Sequence, residues 1–302
     1  MKNILLALVF VFGLNVVPAQ AWSRNGHMII AAMTYRALPD ALQQSYTELL
    51  REHPDYIKWE KEYQSLQVDI ELGEFLFMKA SVWPDEIRRQ GSVYDHPTWH
   101  YTNFPVIPDD FPMEETLTPE NDVIFAVNES RRVLSDSSSS VVDQAAHLSW
   151  ILHTIGDMHQ PLHSVALVNE KYPQGDRGGN LFFVRPRAES KGVNLHRYWD
   201  GLLGTNGKVR DARNDATMIW QALSDEASAQ ISAQIDVRSW ALEGRVVAIA
   251  SVYLNGELEG TVEERKEAAV ILPEAYGKQA KSIAQKRAVL ASLRLLQVLS
   301  ES

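Results

Sequence analysis

The sequence predicts an all-α fold: a single helical domain with long functional loops and at most a small β-hairpin. Three observations carry this. Apolar residues recur at helical spacing over most of the chain. Proline, glycine and asparagine gather in two stretches, 84–118 and 169–194, which read as loops between helical segments. No repeat, linker or shift in composition divides the chain.

The elements follow in order. Lys2, the apolar run Ile4 to Val17 and Ala19-Gln-Ala21 read as a secretory signal peptide, residues 1–21, with an A-x-A cleavage site that leaves Trp22 first. The apolar run is short for a membrane span. Ile29, Ala32, Met33 and Ala37 form the first helical stripe, and Pro39-Asp40 starts a second helix through Leu50. Residues 54–81 are mixed and aromatic, with no clear period. Asn121 to Leu134 is amphipathic, and serines 137–140 mark a turn. Val141 to Met158 is a helix with Ala145, Leu148, Leu152 and Ile155 as its core face. The apolar run Leu181 to Val184 is placed to pair in a hairpin. Helices resume near Asp211, from Trp240 to Leu254, and from Pro273 to the end.

Composition narrows the function. The 302 residues carry a formal charge of −10, or −11 once Lys2 is removed, which disfavours electrostatic binding of duplex DNA unless bound cations reverse the sign locally. Cysteine is absent, so thiolate metal sites, a cysteine nucleophile and disulfides are excluded.

Candidate chemistry centres on His153 and Asp157, one helical turn apart, followed by Gln160-Pro-Leu-His163. Pro161 ends the helix and presents His163 from the bend. The spacing repeats at His196 and Asp200. Imidazole and carboxylate together suit a borderline divalent cation such as zinc. His27 follows the new N-terminus, Asp85 lies in Val82-Trp-Pro-Asp85, and His100 lies in Trp99-His-Tyr101. Taken singly, each of these reads as structural, a capping aspartate or a satisfied core histidine.

Taken together and in order, these motifs resemble the zinc-dependent, single-strand-specific nucleases of the S-one/P-one type. Gly178-Gly-Asn180, the Asn194-Leu-His196 to Asp200 run and Trp240-Ala-Leu-Glu243 add to the likeness, which extends from Trp22 to the last helix. The resemblance implies residues 22–302 as a nuclease domain with three zinc ions in a cleft. One ion would take Asp85, His100, His153 and Asp157. Its neighbour would take His27, the α-amino group and carbonyl of Trp22, and share Asp157. The third would take His163, His196 and Asp200. A zinc-activated hydroxide would then cleave single-stranded DNA and RNA to 5′-phosphate products, with 3′-nucleotidase activity. Catalytic roles would fall to Asp85, Arg88 and Asp157. Arg88 matches a phosphate-binding arginine, and Tyr101 a position on which a base stacks. Gly179, Asn180 and Asn103 would contact the base. The family has an acidic residue where Asn103 stands, so base preference departs here. Fungal and plant relatives carry disulfides, so the absence of cysteine implies a bacterial exported member, periplasmic or secreted. A monomer without stable membrane association is expected. His53, His96, His147 and His159 are assigned no metal.

Two other readings fit part of this pattern. A zinc phospholipase C shares the three-zinc helical architecture and the N-terminal tryptophan. A zinc-binding protein without turnover would need the ligands but not Arg88, Tyr101 or Asn180.

Overall fold

The computed structural model describes residues 22–107, 118–232, 234–262 and 269–301. The expected signal peptide and part of the 84–118 loop lie outside them.

The architecture is all-α, as expected. The described residues form ten α-helices and two small sheets. α1 (Arg24–Ala37) is capped by Ser23, whose side chain accepts from Gly26 N, and is buried from Asn25 to Tyr35. A helix buried on every side belongs at the centre of a fold. Accordingly α1 packs against α4 (Leu72–Glu86), α8 (Val209–Ser228) and α10 (Tyr276–Ser300). α6 (Val141–Met158) crosses α4, with α5 (Val123–Ser135) on its outer side. α2 (Asp40–Arg51) and α3 (Tyr56–Ser65) cover α4.

Two stretches differ from the sequence reading. Residues 54–81, which showed no period, contain α3 and most of α4. α4 is buried from Gly73 to Pro84, so no polar face alternates with an apolar one and no stripe can be read. The 84–118 stretch is not all loop. Pro84 and Asp85 lie in the last turn of α4, and β1 (Phe104–Val106) pairs in parallel with β2 (Val165–Leu167). The expected hairpin forms from β3 (Phe183–Arg185) and β4 (Val193–Asn194). Its free edge is taken by β5 (Val270–Ile271), in parallel and from far along the chain.

The core has two parts. The larger lies among α1, α4, α6, α8 and α10. The smaller gathers Leu162, Val165, Phe182, Trp199, Val252, Tyr253 and Tyr276. α7 (Leu195–Asp200) and the short 3-10 turn Pro161–His163 belong to the smaller part, so ligand candidates come from both sides of the boundary. No helix of the described residues is long and apolar enough to cross a membrane.

Candidate metal centre

α6 is started by Ser140, whose hydroxyl accepts from Asp143 N at 3.1 Å, and it carries His153 and Asp157 on one face near its end. Asp157 is fully buried, and its two oxygens serve different partners. Oδ1 lies 3.2 Å from His27 Nε2, while Oδ2 lies 3.1 Å from His153 Nε2 and 3.2 Å from His100 Nδ1. Asp85 Oδ1 stands 3.8 Å from His100 Nδ1 and 3.9 Å from His153 Nε2. Across the core boundary, Asp200 Oδ1 lies 4.0 Å from His163 Nε2 and Oδ2 lies 3.6 Å from His196 Nε2. The eight predicted ligand side chains thus form three groups: His27 with Asp85 and His153, His100 with His153 and Asp157, and His163 with His196 and Asp200.

Backbone carbonyls set the histidine tautomers. His153 Nδ1 donates to Ser81 O at 2.8 Å, His163 Nδ1 to His100 O at 2.6 Å, and His196 Nδ1 to Gly178 O at 2.6 Å. A carbonyl accepts only, so the proton sits on Nδ1 and Nε2 keeps its lone pair. His163 Nε2, His196 Nε2, both nitrogens of His27, His100 Nε2, Asp85 Oδ1 and Asp157 Oδ1 are buried without a hydrogen-bond partner. Each such atom costs about 1–3 kcal/mol if left uncompensated. Gathered in one place, they fit bound divalent cations. The donors are nitrogen and oxygen, with no sulfur, which suits zinc.

Without an ion, the electrostatics favour the ligand form at most of these groups but not at His153 or Asp200. Burial pushes the His27, His100 and His163 imidazoles below their usual range and His196 down to about 3, favouring the neutral ligand form. Burial also opposes charge on His153, but the Asp157 and Asp85 carboxylates outweigh it and raise that group to about 8. Burial likewise opposes charge on Asp157, yet His153, His100 and His163 hold it well below the usual carboxylate range. Asp200, with less positive charge around it, is pushed well above that range by burial.

Supporting contacts fix the groups in place. Gln160 Nε2 donates to Asp200 Oδ1 while its Oε1 accepts from Leu162 N at 2.7 Å. Gly178 has φ +61, and a side chain there would collide with the Leu162 carbonyl, so only glycine lets the Gly178 carbonyl reach His196. Asp176 anchors the same turn, accepting from Leu167 N at 2.9 Å and from the Tyr253 hydroxyl at 2.6 Å. Trp22 is fully buried and its indole donates to Gly156 O at 2.9 Å; Ser23 N donates to Asp200 O at 2.9 Å. The start of the described chain is therefore held between Asp157 and Asp200.

Arg88 is half-buried, with Nη1 3.7 Å from Asp85 Oδ1. Arg89 is exposed, in the turn after α4 rather than on the helix. Tyr101 and Asn103 are partly exposed on the strand-like segment whose Thr102 N and Phe104 N donate to His163 O and Ser164 O. Gly179 packs against Leu162, Leu195 and His196, and the Asn180 amide donates to Arg177 O at 2.9 Å. His53, His96, His147 and His159 join none of the three groups.

The sequence model of the S1/P1 Nuclease family matches residues 22–302. The chain belongs to this family. It is 30% identical over 135 residues to Endonuclease 3 of Arabidopsis thaliana, covering 40% of each chain. To Endonuclease 5 of the same plant it is 28% identical over 131 residues, covering 40% of this chain and 41% of the other. The chain thus matches about two-fifths of the length of each relative.

Within this S1/P1 family chain, the sequence pointed to the candidate ligands that the structure gathers but not to the residues that hold them in place. Trp240-Ala-Leu-Glu243 had a motif and no role. Glu243 on α9 (Val237–Val247) pairs with Arg294 at 2.6 and 2.8 Å and with Arg287 at 3.2 Å. Arg287 Nε donates to His159 O at 3.0 Å, and Arg294 Nη1 to His159 Nε2 at 2.8 Å. Two cations from α10 thereby close the end of α6, two residues past Asp157, where free carbonyls favour positive charge. Asp176 and Gln160 were likewise missed. Gln160 lay inside the quoted motif and was the one signal available.

Proposed function

We propose that the chain is a zinc-dependent phosphodiesterase that cleaves single-stranded DNA and RNA to 5′-phosphate products and also acts as a 3′-nucleotidase. Family membership and the names of the two relatives, both endonucleases, support a nuclease. The observation that carries the reading is Asp157, whose two oxygens are divided between His27 and the His100–His153 pair. Such a division suits a carboxylate shared by two ions.

Asp85, His100, His153 and Asp157 would hold one zinc; His27, Asp157 and the freed amine and carbonyl of Trp22 a second; His163, His196 and Asp200 the third. Bound zinc supplies a Lewis acid that makes water nucleophilic near neutral pH and offsets negative charge on a leaving oxygen. The P–O3′ bond breaks, phosphate stays on the 5′ oxygen, and the other product ends in a 3′ hydroxyl. Arg88 faces the charge that grows at phosphorus, where a guanidinium accepts two oxygens at once. Tyr101 offers a face on which an unpaired base stacks, which favours single strands. Asn103, Gly179 and Asn180 line the base edge. Residues 1–21 direct export to the periplasm or beyond, and their removal frees the Trp22 amine. The mature protein acts as a monomer.

The test is turnover by zinc-loaded mature protein on single-stranded DNA, RNA, duplex DNA and phosphatidylcholine. Single strands should be cleaved in preference to duplex, with phosphate on the 5′ ends. Turnover of phosphatidylcholine alone would assign the centre to a phospholipase, and no turnover of any substrate would leave a zinc-binding protein.

A further inference from the structure

The segment Lys171–Arg197 runs against the charge of the chain. It holds six cations and two carboxylates in a sequence of net charge −10. One carboxylate, Asp176, is buried; the other, Glu189, lies 4.0 Å from Arg187. Two cations are engaged by backbone: Lys171 donates to Gly260 O at 2.8 Å and Arg185 to Ala269 O at 2.8 Å. Arg177, Lys191 and Arg197 are exposed and make no side-chain hydrogen bond or ion pair among the described residues.

Arg177 is the informative one. Its φ is +56, and Gly178 and Gly179 follow at +61 and +80. This left-handed run is natural for glycine and strained for arginine. The anchored Asp176 before it and the carbonyl of Gly178 after it, which holds His196, leave the backbone no freedom to relax. The arginine therefore carries strain while its side chain gains no fold contact in return; its carbonyl contact with Asn180 would serve a glycine as well. An outlier of this kind beside a reaction centre points to a use for the side chain. Arg197 is exposed in the first turn of α7, directly after His196. His196 N also donates to Gly179 O, so the two arginines flank one short stretch of paired backbone at the His163–His196–Asp200 group.

We propose that Arg177 and Arg197 form a phosphate clamp for a single strand passing the third metal group, engaging phosphates next to the scissile one. This rests on the nuclease reading and deepens it: the centre would favour strands over dinucleotides. A polyanion with one charge per nucleotide fits two arginines flanking a reaction centre. A membrane surface would be met anywhere on the protein, with no reason to strain this backbone.

The experiment compares zinc-loaded wild type, R177G/R197A, and K286A as a control that removes a distant cation paired with Glu226. Binding of a fluorescent phosphorothioate thymidylate strand is followed by anisotropy across a salt series, and kcat/KM is measured on the same sequence as phosphodiester and on a dinucleotide. The double variant should bind the strand roughly tenfold more weakly at low salt, and the slope of log K against log salt should flatten by about 1.4, that of two lost phosphate contacts. Its selectivity for strand over dinucleotide should fall, while K286A follows wild type. R177G alone should raise Tm by relieving the backbone. If wild type cleaves the dinucleotide and the double variant keeps the wild-type slope, the clamp is wrong and the nuclease reading stands. If wild type neither binds nor cleaves strands, both fail. Loss of binding only to anionic vesicles would assign the arginines to a membrane surface and overturn the clamp.

Discussion

Gln160 Nε2 lies 2.8 Å from Asp200 Oδ1, joining the turn after α6 to the end of α7. Asp200 is the carboxylate that burial pushes furthest from its charged form, so this donor stabilises the ligand state. Q160L should weaken one zinc site by about 10–100-fold, the usual effect of losing an outer contact. Metal analysis after dialysis should give one ion fewer than wild type. Equal metal content in the two proteins would remove Gln160 from this role.

Asp157→Asn should be the most damaging single ligand change, because Asp157 faces His100 and His153 of its own group and His27 of the neighbouring one. Wild type should bind three zinc ions, and chelator should lower both turnover and Tm, since metal held only by the folded state adds to folding free energy. A stoichiometry of one ion per chain would sink the three-site assignment.

A protein carrying one extra residue before Trp22 should lose most of its activity and stay helical by circular dichroism. Trp22 is buried and held between Gly156 and Asp200, and an acylated nitrogen is no ligand. Normal turnover by the extended protein would show that the amine is not used.

Arg88→Ala should lower kcat more than it raises KM, by roughly 10²–10³ if its guanidinium acts on charge that builds only in the transition state. Tyr101→Ala should mainly raise KM, corresponding to about 1–3 kcal/mol of lost stacking. Both variants should keep full zinc content. Steady-state kinetics on a defined dinucleotide separate the two, and an unchanged kcat for Arg88→Ala would take it out of the mechanism.

His53 gives a pH test remote from the metals. Burial alone holds its imidazole down at about 3, against 6.5 unfolded. The unfolded chain therefore takes the proton first. The contribution is whole above about pH 6.5 and is lost as pH falls toward 3, with about 2 kcal/mol gone by about pH 5. Denaturant melts should show the stability gap between wild type and H53Q shrinking by that amount from neutral pH to about pH 5. A constant gap would contradict the buried neutral state.

The candidate ligand pairs were legible because local spacing carries them. His153 and Asp157, or His196 and Asp200, share a helix face whatever the rest of the chain does. Pairs distant in sequence gave no such signal. Asp176 meets Tyr253, 77 positions away, and Glu243 meets Arg294, 51 away; each reads alone as a surface charge. The same limit hid β5, which pairs with β3 across the chain, and hid α4, whose all-round burial leaves no contrast between faces. Arg177 was missed because its left-handed backbone follows from contacts made by Asp176, not from its own residue type.

The clamp of Arg287 and Arg294 on the end of α6 bears on biosynthesis. The helix that carries His153 and Asp157 is made well before the residues closing its end, which lie on α10, 128 and 135 positions past His159. A ribosome-bound chain lacking residues beyond Tyr276 has its ligands without their brace. The brace therefore forms only once α10 has left the ribosome, so the helix bearing His153 and Asp157 must persist without it through that interval.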